Sequence, residues 1–202
     1  MYLAGIVLPS GLVDGERFGS TPHLVRRGEV YDYRLYAGPP ALFVTQTDVR
    51  NIQLAKAALY AGARLLMDSL GADSLDRVVL AGAFGSFIDP KHAMVLGMIP
   101  DCRLERVRAA GNAAGTGARI ALLNRGARHE IEALVRRVEK VETAAAESFQ
   151  RDFVAAMGIP HRKDAFPRLA ESVALPSREA DRVDTSGTPL CCPRRFRAYG
   201  SP

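Results

Sequence analysis

Two glycine-rich words hold the residues of this chain best suited to chemistry. The first is Gly82-Ala83-Phe84-Gly85, after the apolar run Arg77-Val78-Val79-Leu80-Ala81, and the second is Gly111-Asn112-Ala113-Ala114-Gly115-Thr116-Gly117-Ala118. Each has the form of a buried strand handing over to a helix, with glycine where the backbone must turn sharply or lie close to a ligand. In open α/β sheets ligands settle beyond the carboxyl ends of the strands, where helix N-termini offer unpaired N–H groups to anions. Asn112 and Thr116 have the side chains to hydrogen-bond at such a helix start. Taken alone the first word is neither Gly-x-Gly-x-x-Gly nor a Walker loop, and a turn that merely needs small residues explains it equally well. Close packing is the main reading of the second.

The elements that must position these words follow from pattern. Residues 30–36 and 41–45 read as two strands around the turn Gly38-Pro39-Pro40, the first of them an edge strand. A long helix follows, capped by Thr45 or Thr47 and running to about Leu70, with apolar Ile52, Ala55, Leu59, Ala63 and Leu66 recurring at helical spacing. Strand 77–81 comes next, then a helix opened by Asp89-Pro90 and ending near Gly97, a strand over 106–110, and helices over 113–123, 129–139 and 143–157. Residues 1–7 read as the end of a helix. Alternation of strand and helix gives an α/β layered domain. From Pro160 onward the prolines at 160, 167, 176, 189, 193 and 202 and the scarcity of large apolar residues predict an irregular tail, with Phe166 docking locally.

Composition bounds the function classes. A chain of 202 residues that is 48% hydrophobic and 24% charged is globular rather than disordered, and no apolar stretch is long enough to span a bilayer. With no signal-peptide pattern at the N-terminus, the expected address is the cytoplasm. The net charge is +5, of which +3 lies after Pro160, so the charge reads as a solvated basic tail rather than a nucleic-acid face. Cys102, Cys191 and Cys192 are too few for a disulfide framework or a four-ligand iron–sulfur cluster, and Cys191-Cys192 read as reduced thiols in the tail. His23, His92, His129 and His161 lack metal-ligand spacing, and Ser10, Ser20 and Ser86 lack a nucleophile elbow. No catalytic side chain and no metal site are assigned.

Several segments together resemble one family. They are Met1-Tyr2-Leu3-Ala4-Gly5-Ile6, Thr45-Gln46-Thr47-Asp48-Val49-Arg50-Asn51-Ile52-Gln53-Leu54-Ala55-Lys56-Ala57-Ala58, the two glycine words, and Phe149-Gln150-Arg151-Asp152-Phe153-Val154-Ala155-Ala156-Met157. Over roughly the first four-fifths of its length the chain resembles the C-terminal actin-like region of the reductive activators of corrinoid proteins. The resemblance implies the second lobe of an actin/sugar-kinase-like, ribonuclease H-like α/β fold, incomplete, in residues 1–159, with a flexible tail over 160–202. In that family ATP hydrolysis is coupled to delivery of a low-potential electron that returns a cobalt(II) corrinoid to cobalt(I), and a separate ferredoxin-like domain carries a [2Fe-2S] cluster.

By the same resemblance Gly82, Ala83, Phe84 and Gly85 lie against the adenosine of the nucleotide, and Asn112 stands at the segment where the two lobes approach. Gln53 and Lys56 sit three apart on one helix face, and the resembling proteins carry the same Gln-Leu-Ala-Lys word. A lysine projecting towards a nucleotide would neutralise phosphate or border adenine; the alternative is a solvated face with ordinary ion pairs. The implied cofactor is ATP with magnesium, the cluster lying outside this chain. The implied partners are a corrinoid protein and the missing first lobe with its ferredoxin domain, with a homodimer also open. No segment before Thr45 supplies the family's phosphate-clamping hairpins, so the expectation is a fragment inactive alone. The rival reading is a docking or dimerisation module, or a decaying copy, without nucleotide binding.

Overall fold

The computed structural model describes residues 1–82, 85, 87–143 and 146–176. Helix formation is clearest at α1 (Gln46–Ser69), where the Thr45 hydroxyl accepts the Asp48 N–H and the Asp48 carboxylate accepts the Thr45 N–H at 2.8 Å, a reciprocal capping box. Before it stands an antiparallel sheet of β1 (Leu24–Arg27), β2 (Val30–Tyr36) and β3 (Leu42–Val44), in that spatial order. The hairpin around Gly38-Pro39-Pro40 is as expected. β2 is the central strand rather than an edge, because β1, which the sequence pattern did not reveal, pairs along its other side. Buried Asp32 on β2 joins sheet to helix, accepting the Gln46 N–H at 3.2 Å while its other oxygen pairs with Arg27 at 2.7 Å.

A second, parallel pair follows. β4 (Val78–Ala81) leads through α2 (Pro90–Leu96) to β5 (Val107–Gly111). Asp89 caps α2 by accepting the His92 N–H at 2.8 Å, with Pro90 in the first turn, as its sequence position predicts. Gly97 closes α2 in the left-handed region at φ 74°, and a Cβ there would lie 1.9 Å from the Pro160 carbonyl oxygen. Helices α3 (Ala113–Leu123) and α4 (Arg125–Val135) come next, and neither contains a buried residue. α4 starts four residues earlier than the pattern predicts because the Asn124 side chain accepts the Gly126 and Ala127 N–H groups. α5 (Glu147–Ala156) then lies along α1.

Three expectations are corrected. Residues 1–7 form no helix end: a 3-10 turn over Tyr2–Ala4 stops at left-handed Gly5, and Val7 bridges to Val13. The stretch from Pro160 is not irregular throughout, since Phe166, Leu169 and Val173 are core residues and α6 (Pro167–Ala170) carries Leu169. Its N-terminus is held by the Asp101 carboxylate, which accepts the Arg168 and Leu169 N–H groups at 3.0 Å each. The proposed docking of Phe166 is what the structure shows, at 4% exposure; Cys191 and Cys192 lie outside the described residues.

The third correction concerns α1 itself. The solvated face open to Gln53 and Lys56 is instead the buried one, while the apolar residues at helical spacing face out, with Ile52, Leu59 and Leu66 at 45%, 56% and 51% exposure. The buried face carries Val49, Gln53, Lys56, Ala57, Tyr60, Ala61 and Met67. Polar side chains face inward because two chain segments present backbone groups there. Gln46 accepts the Val13 N–H and donates to the Gly11 carbonyl, both at 2.9 Å. Gln53 donates to the carbonyls of Ser10 at 2.8 Å and Met157 at 2.6 Å. Lys56 donates to the carbonyl of Gly158 and to that of Pro160 at 2.7 Å, and the Tyr60 hydroxyl donates to Asp164 at 2.6 Å. Buried backbone acceptors of this kind must be satisfied, and amide and amine donors satisfy them where a leucine would not.

Burial pushes the Lys56 amine down to about 7. The two carbonyls match the two N–H bonds of a neutral amine. Between about pH 7 and the ordinary lysine range of ~10.4 the unfolded chain holds a proton that the folded one has released, so stability rises with pH there. The urea midpoint of the wild type is expected to climb from pH 7 to pH 9, and Lys56→Met to remove that climb. The same substitution should cost about 2 to 4 kcal/mol at pH 9 by leaving two carbonyls without donors; an unchanged slope and midpoint would contradict the assignment. Gly97→Ala, combining a positive φ with a backbone clash, should lose about 2 to 4 kcal/mol in the same measurement.

Candidate functional site

β4 and β5 run parallel with Val78 opposite Val107 and Leu80 opposite Ala109, and then Ala81 opposite Gly111. That last step passes over Ala110, so β5 carries an extra residue at its carboxyl end. Beyond it the Gly82 N–H donates to the Gly111 carbonyl at 2.8 Å. The two glycine words, far apart in sequence, therefore lie side by side where both strands end.

Each word is shaped differently. Gly82 has φ 109°, a conformation that a β-branched side chain resists, and a Cβ built there would meet no atom of the described residues within 4 Å. Gly85 is buried, and a Cβ there would come within 3.0 Å of the Leu80 carbonyl, so this glycine lets the turn fold back on its own strand. Ala83 and Phe84 lie outside the described residues. In the second word Asn112 is the N-cap of α3, its side-chain oxygen accepting the Gly115 N–H at 2.9 Å. The positive end of the α3 dipole therefore sits at the carboxyl end of β5, next to the Gly82 turn.

Gln53 and Lys56 are placed elsewhere. At 1% and 2% exposure they are not on a solvated face, and their side-chain nitrogens donate to the backbone carbonyls of Ser10, Met157, Gly158 and Pro160. The structure brings Gly82, Gly85 and Asn112 to one end of the parallel pair and sets Gln53 and Lys56 at the junction of α1 with residues 157–160. The Gly111 carbonyl, which locks the two turns together, was not singled out from sequence. Its signal was the parallel β-α-β pattern, which forces consecutive strands to finish at the same end.

Two features bear on cofactors and membranes. Among the described residues no group of three or more His, Cys, Asp or Glu side chains gathers to hold a metal ion, and Cys102 is wholly buried. Among the same residues no helix is long and apolar enough to cross a membrane.

Comparison with known proteins places this geometry. Residues 1–170 match the model of the family described as the C-terminal domain of RACo, the ASKHA domain. The corrinoid activation enzyme RamQ of Eubacterium limosum is 38% identical over 115 residues, which are 56% of this chain and 19% of that protein. Among solved structures, a reductive activator for a corrinoid, iron–sulfur protein superposes with a TM-score of 0.69 at 31% identity, over 78% of this chain and 26% of that one. The chain thus spans about a fifth to a quarter of the length of these two relatives. Its mixed α/β architecture is of the actin-like kind, and the chain belongs to the reductive activators of corrinoid proteins through their C-terminal ASKHA domain.

Proposed function

We propose that this chain supplies the adenosine-side wall of the nucleotide cleft in an ATP-dependent reductive activator of corrinoid proteins, and that by itself it binds nucleotide without hydrolysing it. The observation that carries this reading is the Gly82 N–H···O=C Gly111 bond, which sets both glycine turns and the start of α3 at one strand end. No atom of the described residues comes within 4 Å of a Cβ built on Gly82, which supports a flat base and ribose lying on the backbone there, the use that a glycine at φ 109° permits. Asn112, already holding the first turn of α3, fixes the second side of that wall. In this reading Gln53 and Lys56 are positioning residues that hold residues 157–160, which in turn pack on Gly97 at the end of α2.

ATP bound in the complete cleft would supply the free energy for a change in lobe arrangement, a population shift driven by differential affinity for the two arrangements. What this chain's own residues do is narrower: they present backbone and small side chains to adenosine and keep the two strand ends in register. A corrinoid protein is the partner implied by the names of the two relatives. The described residues gather no group of three or more His, Cys, Asp or Glu side chains that would hold an iron–sulfur cluster. A second reading, docking without nucleotide binding, draws on α4, whose Ile131, Leu134 and Val135 are exposed at 38%, 60% and 63%.

Calorimetric titration with ATP and ADP, with and without magnesium, tests the two readings. Adenosine-dependent binding that is indifferent to the γ-phosphate and to magnesium is the expected result. Gly82→Val, whose side chain would stand where adenosine is proposed to lie, should weaken that binding at least about tenfold, roughly 1.4 kcal/mol or more, with the far-ultraviolet spectrum unchanged. No heat with either nucleotide, or equal affinity in the variant, would leave the docking reading.

A further inference from the structure

Residues 157–164 carry a buried histidine that the candidate site does not use. The stretch leaves the end of α5 by a sharp reversal, in which the Arg162 N–H donates to the Ala155 carbonyl at 3.0 Å and a Cβ on Gly158 would stand 2.9 Å from the Arg162 nitrogen. Beyond that reversal the His161 ring is buried at 5% exposure and lies against the Tyr60 ring of α1, with centroids 4.6 Å apart. Its Nδ1 accepts two backbone N–H groups, from Lys163 at 3.2 Å and from Asp164 at 2.8 Å. A nitrogen that accepts carries no proton, so these bonds assign the neutral tautomer with its proton on Nε2.

The same bonds oppose a second proton. It can enter only at Nδ1, where it would face the Lys163 and Asp164 N–H groups donor to donor, and both would lose their acceptor. The charged groups around the ring do not reverse this. Lys56 of α1, whose amine donates to the Gly158 and Pro160 carbonyls, adds positive charge below about pH 7. Arg64, near Tyr60, is already paired with Asp68 at 2.9 Å, while Arg162 and Lys163 are exposed. Asp164 has one oxygen taken by the Tyr60 hydroxyl at 2.6 Å, and its other oxygen lies 3.7 Å from Nδ1 on a side chain 41% exposed, beyond hydrogen-bond reach and screened by solvent. Asp101, the other carboxylate acting on Tyr60, has both oxygens engaged by the Arg168 and Leu169 N–H groups.

The bonds that fasten this stretch to α1 come from side chains of that helix. Gln53 holds the Met157 carbonyl, Lys56 those of Gly158 and Pro160, and Tyr60 the Asp164 carboxylate. All can break without disturbing a backbone hydrogen bond of α1.

We propose that residues 157–164 form an acid-released latch on α1: a proton taken at Nδ1 of His161 expels the Lys163 and Asp164 N–H groups, and the stretch opens away from the Lys56 and Tyr60 side chains while α1 stays helical. Opening also withdraws the Pro160 carbonyl from Gly97 at the end of α2. Because the open stretch takes a proton that the closed one does not hold, the closed form is fully stable above the ordinary histidine range of ~6.5 and loses stability as pH falls below it. Lys56 acts in a separate window, above about pH 7. The latch does not depend on nucleotide binding.

Amide hydrogen exchange of the full chain, corrected for the intrinsic pH dependence of exchange, reads the opening. From pH 7 to pH 5, opening of peptides covering residues 157–164 should rise at least about tenfold, the effect of one proton, while the central amides of α1 keep their protection. His161→Asn places an acceptor oxygen near the position of Nδ1 without a titrating ring, and the rise should vanish. Nitrogen NMR of the wild-type ring gives a second readout that needs no variant: the Nε2-protonated tautomer at pH 7, with ring titration setting in together with the opening, is the expected result. A ring that titrates while the stretch stays closed, a rise that persists in His161→Asn, or loss of α1 protection in step with the stretch overturns the proposal.

Discussion

Polar side chains on the inward face of one helix hold this fold together. Gln46 and Gln53 secure residues 10–13, while Gln53 and Lys56 secure residues 157–160, so a single helix ties the N-terminal strap to the C-terminal segment. The two segments also meet directly, the Ile159 N–H donating to the Pro9 carbonyl at 2.8 Å. Each bond satisfies a backbone group that would otherwise be buried without a partner, a loss that costs more than the bond itself gains. This explains a lysine at 2% exposure with its amine shifted towards neutrality, and it explains why α2 must end in glycine where Pro160 presses on it.

The parallel pair depends on that frame. β4 and β5 finish together beside Gly82 and Gly111, and α2 between them is seated by Gly97 against the segment that Lys56 holds. The α1 amine thus bears through Pro160 on the end of α2, the helix that connects β4 to β5. Beyond the strand ends, α3 and α4 contain no buried residue.

Much of this was legible in the sequence because local chemistry sufficed. Thr45, Asp89 with Pro90, and Gly97 each mark a helix boundary by a mechanism that needs no tertiary contact; the last two stand where expected, and of the two caps open for α1, Thr45 or Thr47, the structure uses Thr45. Spacing alone did not tell which face of α1 turns inward. The apolar residues at helical spacing face out and Gln53 and Lys56 face in, because the deciding demand came from carbonyls a hundred residues away. The prolines after residue 160 likewise outweighed Phe166, Leu169 and Val173, whose burial depends on Asp101 and on the end of α6. At the site, the two glycine words were visible individually, and their juxtaposition followed only from parallel pairing. Family resemblance pointed to the nucleotide; residue spacing alone did not.

In the proposed function adenosine lies on the paired glycine turns. Amide hydrogen exchange of the chain with and without saturating ADP tests it most directly. Adenosine on the turns should give protection confined to peptides covering Gly82–Gly85 and Gly111–Thr116, with residues 157–164 unchanged. Protection absent from both turns, or confined to α5 and the segment that Lys56 holds, would contradict it.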